Sequence, residues 1–109
     1  MLLPGTGTCV AAIEKCSGRK AEVMGKPNKS LIELIMKEHQ ISDPKKVCMV
    51  GDRLDTDIAI TKHFPSMSSL LVFTGVSKRE HLHHSHIKPK FSALSLPHIL
   101  HCYPHHNKN

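Results

Sequence analysis

The chain has 109 residues, of which 39% are hydrophobic, and a formal charge of +6. That length suits one small domain or a piece of a larger one, and no run approaches the roughly 20 apolar residues needed to span a bilayer. Aromatics make up only 4% and the lysines and arginines are scattered, which argues against a nucleic-acid surface of stacking rings and basic stripes.

The opening MLLPGTG reaches Pro4 and Gly5 without a basic flank, so a secretory signal is not expected. Residues 8–20, TCVAAIEKCSGRK, put Cys9, Val10, Ile13 and Cys16 on one helical face, with Gly18 as the stop. On such a helix Cys9 and Cys16 lie about 10 Å apart along the axis, too far to bridge. Cys48 and Cys102 complete the set of four, and no C-x-x-C pair occurs. Reduced thiols and a cytoplasmic location are the expectation.

The segment AEVM, 21–24, reads as a short extended piece before the loop Gly25-Lys26-Pro27. In NKSLIELIMKEH, 28–39, Leu31, Ile32, Ile35 and Met36 form an apolar stripe at helical period. Ser30 and Glu33 fit a capping box, with Asn28 as an alternative N-cap. After the turn SDPKK comes KVCMV, 46–50, a continuous apolar run predicted to be a strand buried on both faces of a parallel sheet. DTDIAITKHF, 55–64, reads as a short helix with acids in its first turn, where the dipole favours them. SSLLVFTG, 68–75, is a second buried strand. Two strands joined through a helix make a parallel βαβ unit, so the fold class is α/β.

The chemistry-bearing residues gather where loops leave the strands, the edge at which open parallel sheets bind ligands. Asp52 follows the first strand directly, and Asp55 and Asp57 come within the next five positions. Mg²⁺ takes one or two carboxylates plus waters and substrate phosphate. Lys26 lies in a Gly-Lys-Pro loop ahead of a helix, where its ammonium and the helix N-terminus could face one anion. Each feature has a plain alternative. A lysine before a helix is commonly a solvated charge, and aspartates at a helix start commonly cap it and offset its dipole.

Taken together, GKPN at 25–28, VCMVGDRLDTDIAI at 47–60 and LLVFTGVS at 70–77 resemble the C-terminal half of a haloacid dehalogenase (HAD) superfamily phosphatase. The branch resembled contains phosphoglycolate, pyridoxal phosphate and 4-nitrophenyl phosphate phosphatases. The likeness runs from about Pro4 to Ser77 and resumes at KPKFSALSLPHIL, 88–100, which is similar to the family's closing strand and helix. It implies a partial Rossmann-like parallel sheet with flanking helices, lacking the N-terminal central strand and most of the cap domain. Residues 1–24 would be the end of the cap and the return to the core, and 25–77 the C-terminal half of the core. Residues 78–109 would be a partly disordered His-rich basic tail.

Residue by residue, the resemblance makes Lys26 the phosphate-binding lysine and Asp52 the Mg²⁺ ligand. Asp57 becomes the second acid, supporting the metal's water shell or the lysine. Asp55 falls at a variable position, and Arg53 is expected to brace the loop by hydrogen bonding. The expected substrate is a small phosphorylated metabolite. Family members attack phosphorus with the first aspartate of a D-x-D-G-T motif, and no D-x-D-G occurs here. Asp55-Thr56-Asp57 has the D-x-D spacing, but Ile58 follows it. No catalytic nucleophile is therefore assigned, and the chain is expected to be a fragment that is inactive alone. Without the central strand, residues 46–50 would present an open edge suited to pairing with a full-length relative.

The sequence also departs from the family. TKHFPSMSS, 61–69, lacks the expected glycine turn, and no acidic residue follows Glu80 while eight of the ten histidines do. His81, His83, His84 and His86 could bind Zn²⁺, Ni²⁺ or Cu²⁺, although their spacing fits no defined site. A non-catalytic interaction protein or a His-rich metal binder is thus the alternative reading.

Overall fold

The computed structural model describes residues 4–102. Helix α1 (Thr6–Ser17) ends at Gly18, whose φ of 67° is the left-handed conformation that glycine adopts without steric cost. The expected stop at Gly18 holds and the start lies two residues earlier, at Thr6, but the expected apolar face is not covered among the described residues. Cys9, Val10, Ile13 and Cys16 are all exposed, and α1 has no buried residue. Residues 21–24, expected to be extended, belong to no helix or strand.

Helix α2 (Ser30–Glu38) buries Ile32 and Met36, while Leu31 and Ile35 of the same stripe stay exposed. The Ser30–Glu33 capping box does not form. Asn28 Oδ1 instead accepts from the Ser30 backbone N–H and hydroxyl at 2.9 and 2.7 Å, and Glu33 is drawn to Lys29 one turn back. The short turn Pro44–Lys46 follows, with the Asp43 side chain accepting from Lys45 N.

Strands β1 (Cys48–Gly51), β2 (Ser68–Val72) and β3 (Phe91–Ala93) form one parallel sheet in the order β1-β2-β3. The α/β fold class is as the sequence predicts, and β2 is buried from Ser69 onward. Strand β1 is not buried on both faces. Its exposure alternates along the strand, because among the described residues only one of its edges is paired and only one face of the sheet is well covered.

Side chains alternate between the two faces of a strand, and the register sorts them. Met49 and Leu71 point to the covered face, where two apolar clusters form. Ile32, Met36, Ile60 and Met67 pack with Met49 and Phe64, and Leu54, Ile58 and Leu71 pack with Phe73, Leu82 and Ile87. The opposite face carries Cys48 and Val50 opposite Ser68 and Leu70, with Phe91 next in register. Val50 and Phe91 keep 39% and 60% of their surface exposed. A groove of about 750 Å³ runs over this face between Cys48, Leu70, Phe91, Arg79 and His98.

The segment predicted as a helix over 55–64 is helical but not a regular α-helix. Leu54–Ile58 makes one wide π-type turn, with Ile58 N donating to Arg53 O, and Ala59–His63 tightens to a 3₁₀ turn. The expected closing elements are present as β3 and helix α4 (Pro97–Cys102). A helix α3 (Arg79–His84) not expected from the sequence precedes them. No helix among the described residues is long and apolar enough to cross a membrane.

Candidate functional site

Lys26 and Asp57 are 31 positions apart in sequence and meet at the carboxyl end of β1. Lys26 Nζ lies 2.6 Å from Asp57 Oδ1. The Asp57 side chain is only 6% exposed, whereas that of Lys26 is 41% exposed. The lysine thus spends one donor on a buried carboxylate and keeps others toward solvent. Asp57 Oδ2 turns the other way and accepts from the backbone N–H groups of Asp52 and Arg53, both at 3.1 Å. A buried carboxylate with three donors is well satisfied. One aspartate therefore ties the lysine loop to the loop that leaves β1.

Asp52 is fixed from the next strand over. Its Oδ2 accepts from Val76 N at 2.7 Å, and its backbone oxygen accepts from Ser77 N at 2.9 Å. Buried Ser77 accepts from Leu54 N through its hydroxyl at 3.3 Å. Asp52 Oδ1 has no protein hydrogen-bond partner among the described residues and is the oxygen free to meet a ligand.

Two glycines make these approaches possible. A Cβ on Gly51 would fall on the Asp57 side chain, and a Cβ on Gly75 would fall on the Asp52 carboxylate, 2.6 Å from its Cγ. Sequence reasoning named neither this role for Gly51 nor any role for Gly75, Val76 and Ser77. The available signal was the position of T-G-V-S, which leaves β2 at the same sheet edge where G-D leaves β1.

Arg53 hydrogen-bonds within its own loop, as expected, through a two-point contact with Asp55 at 3.1 and 2.7 Å. Hydrogen bonding to Arg53 holds the Asp55 carboxyl below its ordinary range, and the same bond raises the Arg53 guanidinium. Asp55 is exposed and points away from the buried network. Cys9, Cys16 and Cys48 are free thiols, and partial burial pushes Cys48 upward.

The tail histidines do not converge. His81 accepts from Lys78 N through Nδ1, and no group of three or more His, Cys, Asp or Glu side chains among the described residues could hold a metal ion. Mg²⁺ needs no such group, since it commonly takes one or two carboxylates with water and phosphate oxygens. The free Asp52 oxygen has the hard-oxygen chemistry that suits Mg²⁺, and the missing Gly75 side chain leaves room for the carboxylate to sit against the loop after β2.

The sequence profile of the HAD-hydrolase-like family matches residues 23–99. The chain belongs to that family. The matched span of this HAD-hydrolase-like chain contains Lys26, Asp52, Asp57, Gly75 and Ser77. It is 49% identical over 77 residues to chronophin of Bos taurus, covering 71% of this chain and 25% of that protein. The chain thus spans about a quarter of the length of the curated relatives it matches first. The crystal structure of a 4-nitrophenylphosphatase from Thermotoga maritima superposes with a TM-score of 0.77 at 35% identity, over 89% of this chain and 37% of that one. A glycerol phosphate phosphatase from Mycobacterium tuberculosis, crystallised in complex with magnesium, superposes at 0.71 with 32% identity. That match covers 84% of this chain and 27% of the other.

Proposed function

We propose that this chain carries the phosphate- and Mg²⁺-holding part of a phosphomonoesterase site for a small phosphorylated metabolite, of the phosphoglycolate or pyridoxal phosphate type. The observation that carries the reading is the bridge made by Asp57, which holds Lys26 at one oxygen and the Asp52 backbone at the other. A charged lysine and an acid with one free oxygen are thereby presented at the same strand end, a suitable place for an anion and a hard cation.

In this reading Asp52 Oδ1 is the protein ligand to Mg²⁺, and the bound ion supplies charge neutralisation at phosphoryl oxygens. Lys26 offers its solvent-facing N–H donors to the phosphoryl group. Asp57 positions the lysine and does not touch substrate. Phosphoryl transfer also needs a nucleophile, and the sequence contains no D-x-D-G-T. The chain alone is therefore proposed to bind and not to turn over.

The test is calorimetry with Mg²⁺ and with inorganic phosphate on the purified chain, beside hydrolysis of 4-nitrophenyl phosphate. Asp52→Asn is expected to abolish Mg²⁺ binding and Lys26→Ala to weaken phosphate, with no hydrolysis above buffer in any sample. Absence of Mg²⁺ and phosphate binding by the unmodified chain defeats the reading. Hydrolysis that disappears in both variants would reveal a nucleophile within this chain.

A second reading rests on the outer edge of β1, unpaired among the described residues, and on the exposed Val50 beside it. The chain would then act by pairing with a full-length relative, since an open strand edge is a template for another chain. Mixing the chain with a full-length relative and measuring native mass checks this. A mixed species supports it, and two unmixed species exclude it.

A further inference from the structure

The loop that leaves β2, residues 73–77, reaches across to β1 and grips the residue at its end. Val76 N–H holds Asp52 Oδ2 at 2.7 Å. Ser77 N–H holds the Asp52 carbonyl at 2.9 Å, and the Ser77 hydroxyl holds the next turn through Leu54 N at 3.3 Å. At Gly75 the loop runs so near Asp52 that a Cβ would overlap the carboxylate. These contacts involve both the side chain and the main chain of Asp52. They leave one carboxylate oxygen occupied and the other free.

We propose that Gly75 and Ser77 are positioning residues that decide which oxygen of Asp52 meets the metal. The inference rests on the reading of Asp52 as the Mg²⁺ ligand. A lone aspartate at a strand end can rotate about χ1 and χ2 and offer either oxygen. Here the Val76 N–H holds Oδ2, which fixes the carboxylate in one orientation and leaves Oδ1 as the oxygen without a protein partner among the described residues. Outer partners that orient a ligating carboxylate typically change metal affinity about 10- to 100-fold when removed. Gly75 acts by having no side chain, which lets the Val76 N–H come within bonding distance. Ser77 acts one step further out, by locking the turn that follows Asp52 against the end of β2.

The experiment is Mg²⁺ titration calorimetry on the full chain, comparing Gly75→Ala and Ser77→Ala with the unmodified protein. Phosphate binding without metal is measured on the same samples, and far-UV circular dichroism melts confirm that each variant is folded. Gly75→Ala is expected to weaken Mg²⁺ by at least about tenfold, and Ser77→Ala by a few-fold. Metal-free phosphate affinity should remain within about twofold, because Lys26 is held by Asp57 and not by this loop. A folded Gly75→Ala that binds Mg²⁺ normally overturns the proposal. An equal loss of Mg²⁺ and phosphate also overturns it, since that marks a general disturbance of the fold. Should Gly75→Ala fail to fold, Ser77→Ala decides: weaker Mg²⁺ with unchanged phosphate supports the proposal, and unchanged Mg²⁺ overturns it. No Mg²⁺ binding by the unmodified chain overturns the metal reading beneath it, a result distinct from all the others.

Discussion

Two parts of this molecule use the same strands to different ends. At the carboxyl edge of β1 and β2, no buried side-chain nitrogen or oxygen among the described residues lacks a hydrogen-bond partner. Asp57 alone gathers three donors there. On the open face of the sheet, by contrast, Val50 and Phe91 are exposed, Phe91 lines the groove, and α1 carries an apolar stripe with no buried residue. The difference teaches how the two kinds of order arise. A polar network closes on short contacts supplied by neighbouring loops, so it can be complete within a small piece of sheet. An apolar surface gains its stability only when a second layer removes it from water.

That contrast can be broken most severely at Asp57. Asp57→Ala strands two backbone N–H groups and frees Lys26, and is expected to cost about 2–4 kcal/mol, read from the shift in a urea unfolding curve. Leu71→Ala and Ile60→Ala remove side chains with no exposed surface from the covered face. Each is expected to cost about 2–4 kcal/mol by the same measurement. Gly51→Ala forces the new methyl against the Asp57 side chain, with an expected cost of about 1–3 kcal/mol from overpacking.

The uncovered regions give the small effects. Val10→Ala and Ile13→Ala on α1 should each change stability by less than about 0.5 kcal/mol, because both residues are exposed. A larger loss would mean that α1 is covered in solution, as in a self-associated state. The exposed Arg53–Asp55 contact is expected to contribute least. Asp55 is held below its ordinary carboxyl value by Arg53. Any contribution from the pair is therefore present above the unfolded value and lost as pH falls through the depressed folded one. An Asp55→Asn variant should show a slightly flatter acid limb in stability against pH, with a small loss of stability at neutral pH that vanishes in acid.

Much of the fold could be read from the residues. The apolar runs at 46–50 and 68–73 became β1 and β2, and the helical stripe at 31–36 became α2 with Ile32 and Met36 inward. Periodicity reports such elements because it follows from backbone geometry alone. Caps were less legible. Ser30-x-x-Glu33 has the form of a capping box, yet Asn28 does the capping, since several side chains compete for the same few N–H groups. The irregular helix at 54–63 was also hidden. Its π-type bond from Ile58 to Arg53 accompanies the backward turn of Asp57 toward the Asp52 and Arg53 N–H groups, which no periodicity encodes.

The sequence by itself determined the α/β class, the elements α1, α2, β1 and β2, and the candidates Lys26, Asp52 and Asp57. It could do so because these depend on local pattern and on residue chemistry at a strand end. Only the tertiary structure decided that Asp57 joins Lys26 to the Asp52 loop, and that β1 is an alternating edge strand. The same holds for the grip that Gly75, Val76 and Ser77 keep on Asp52. Those facts depend on which segments meet in space. Lys26 and Asp57, or Asp52 and Val76, are brought within a hydrogen bond by the sheet between them.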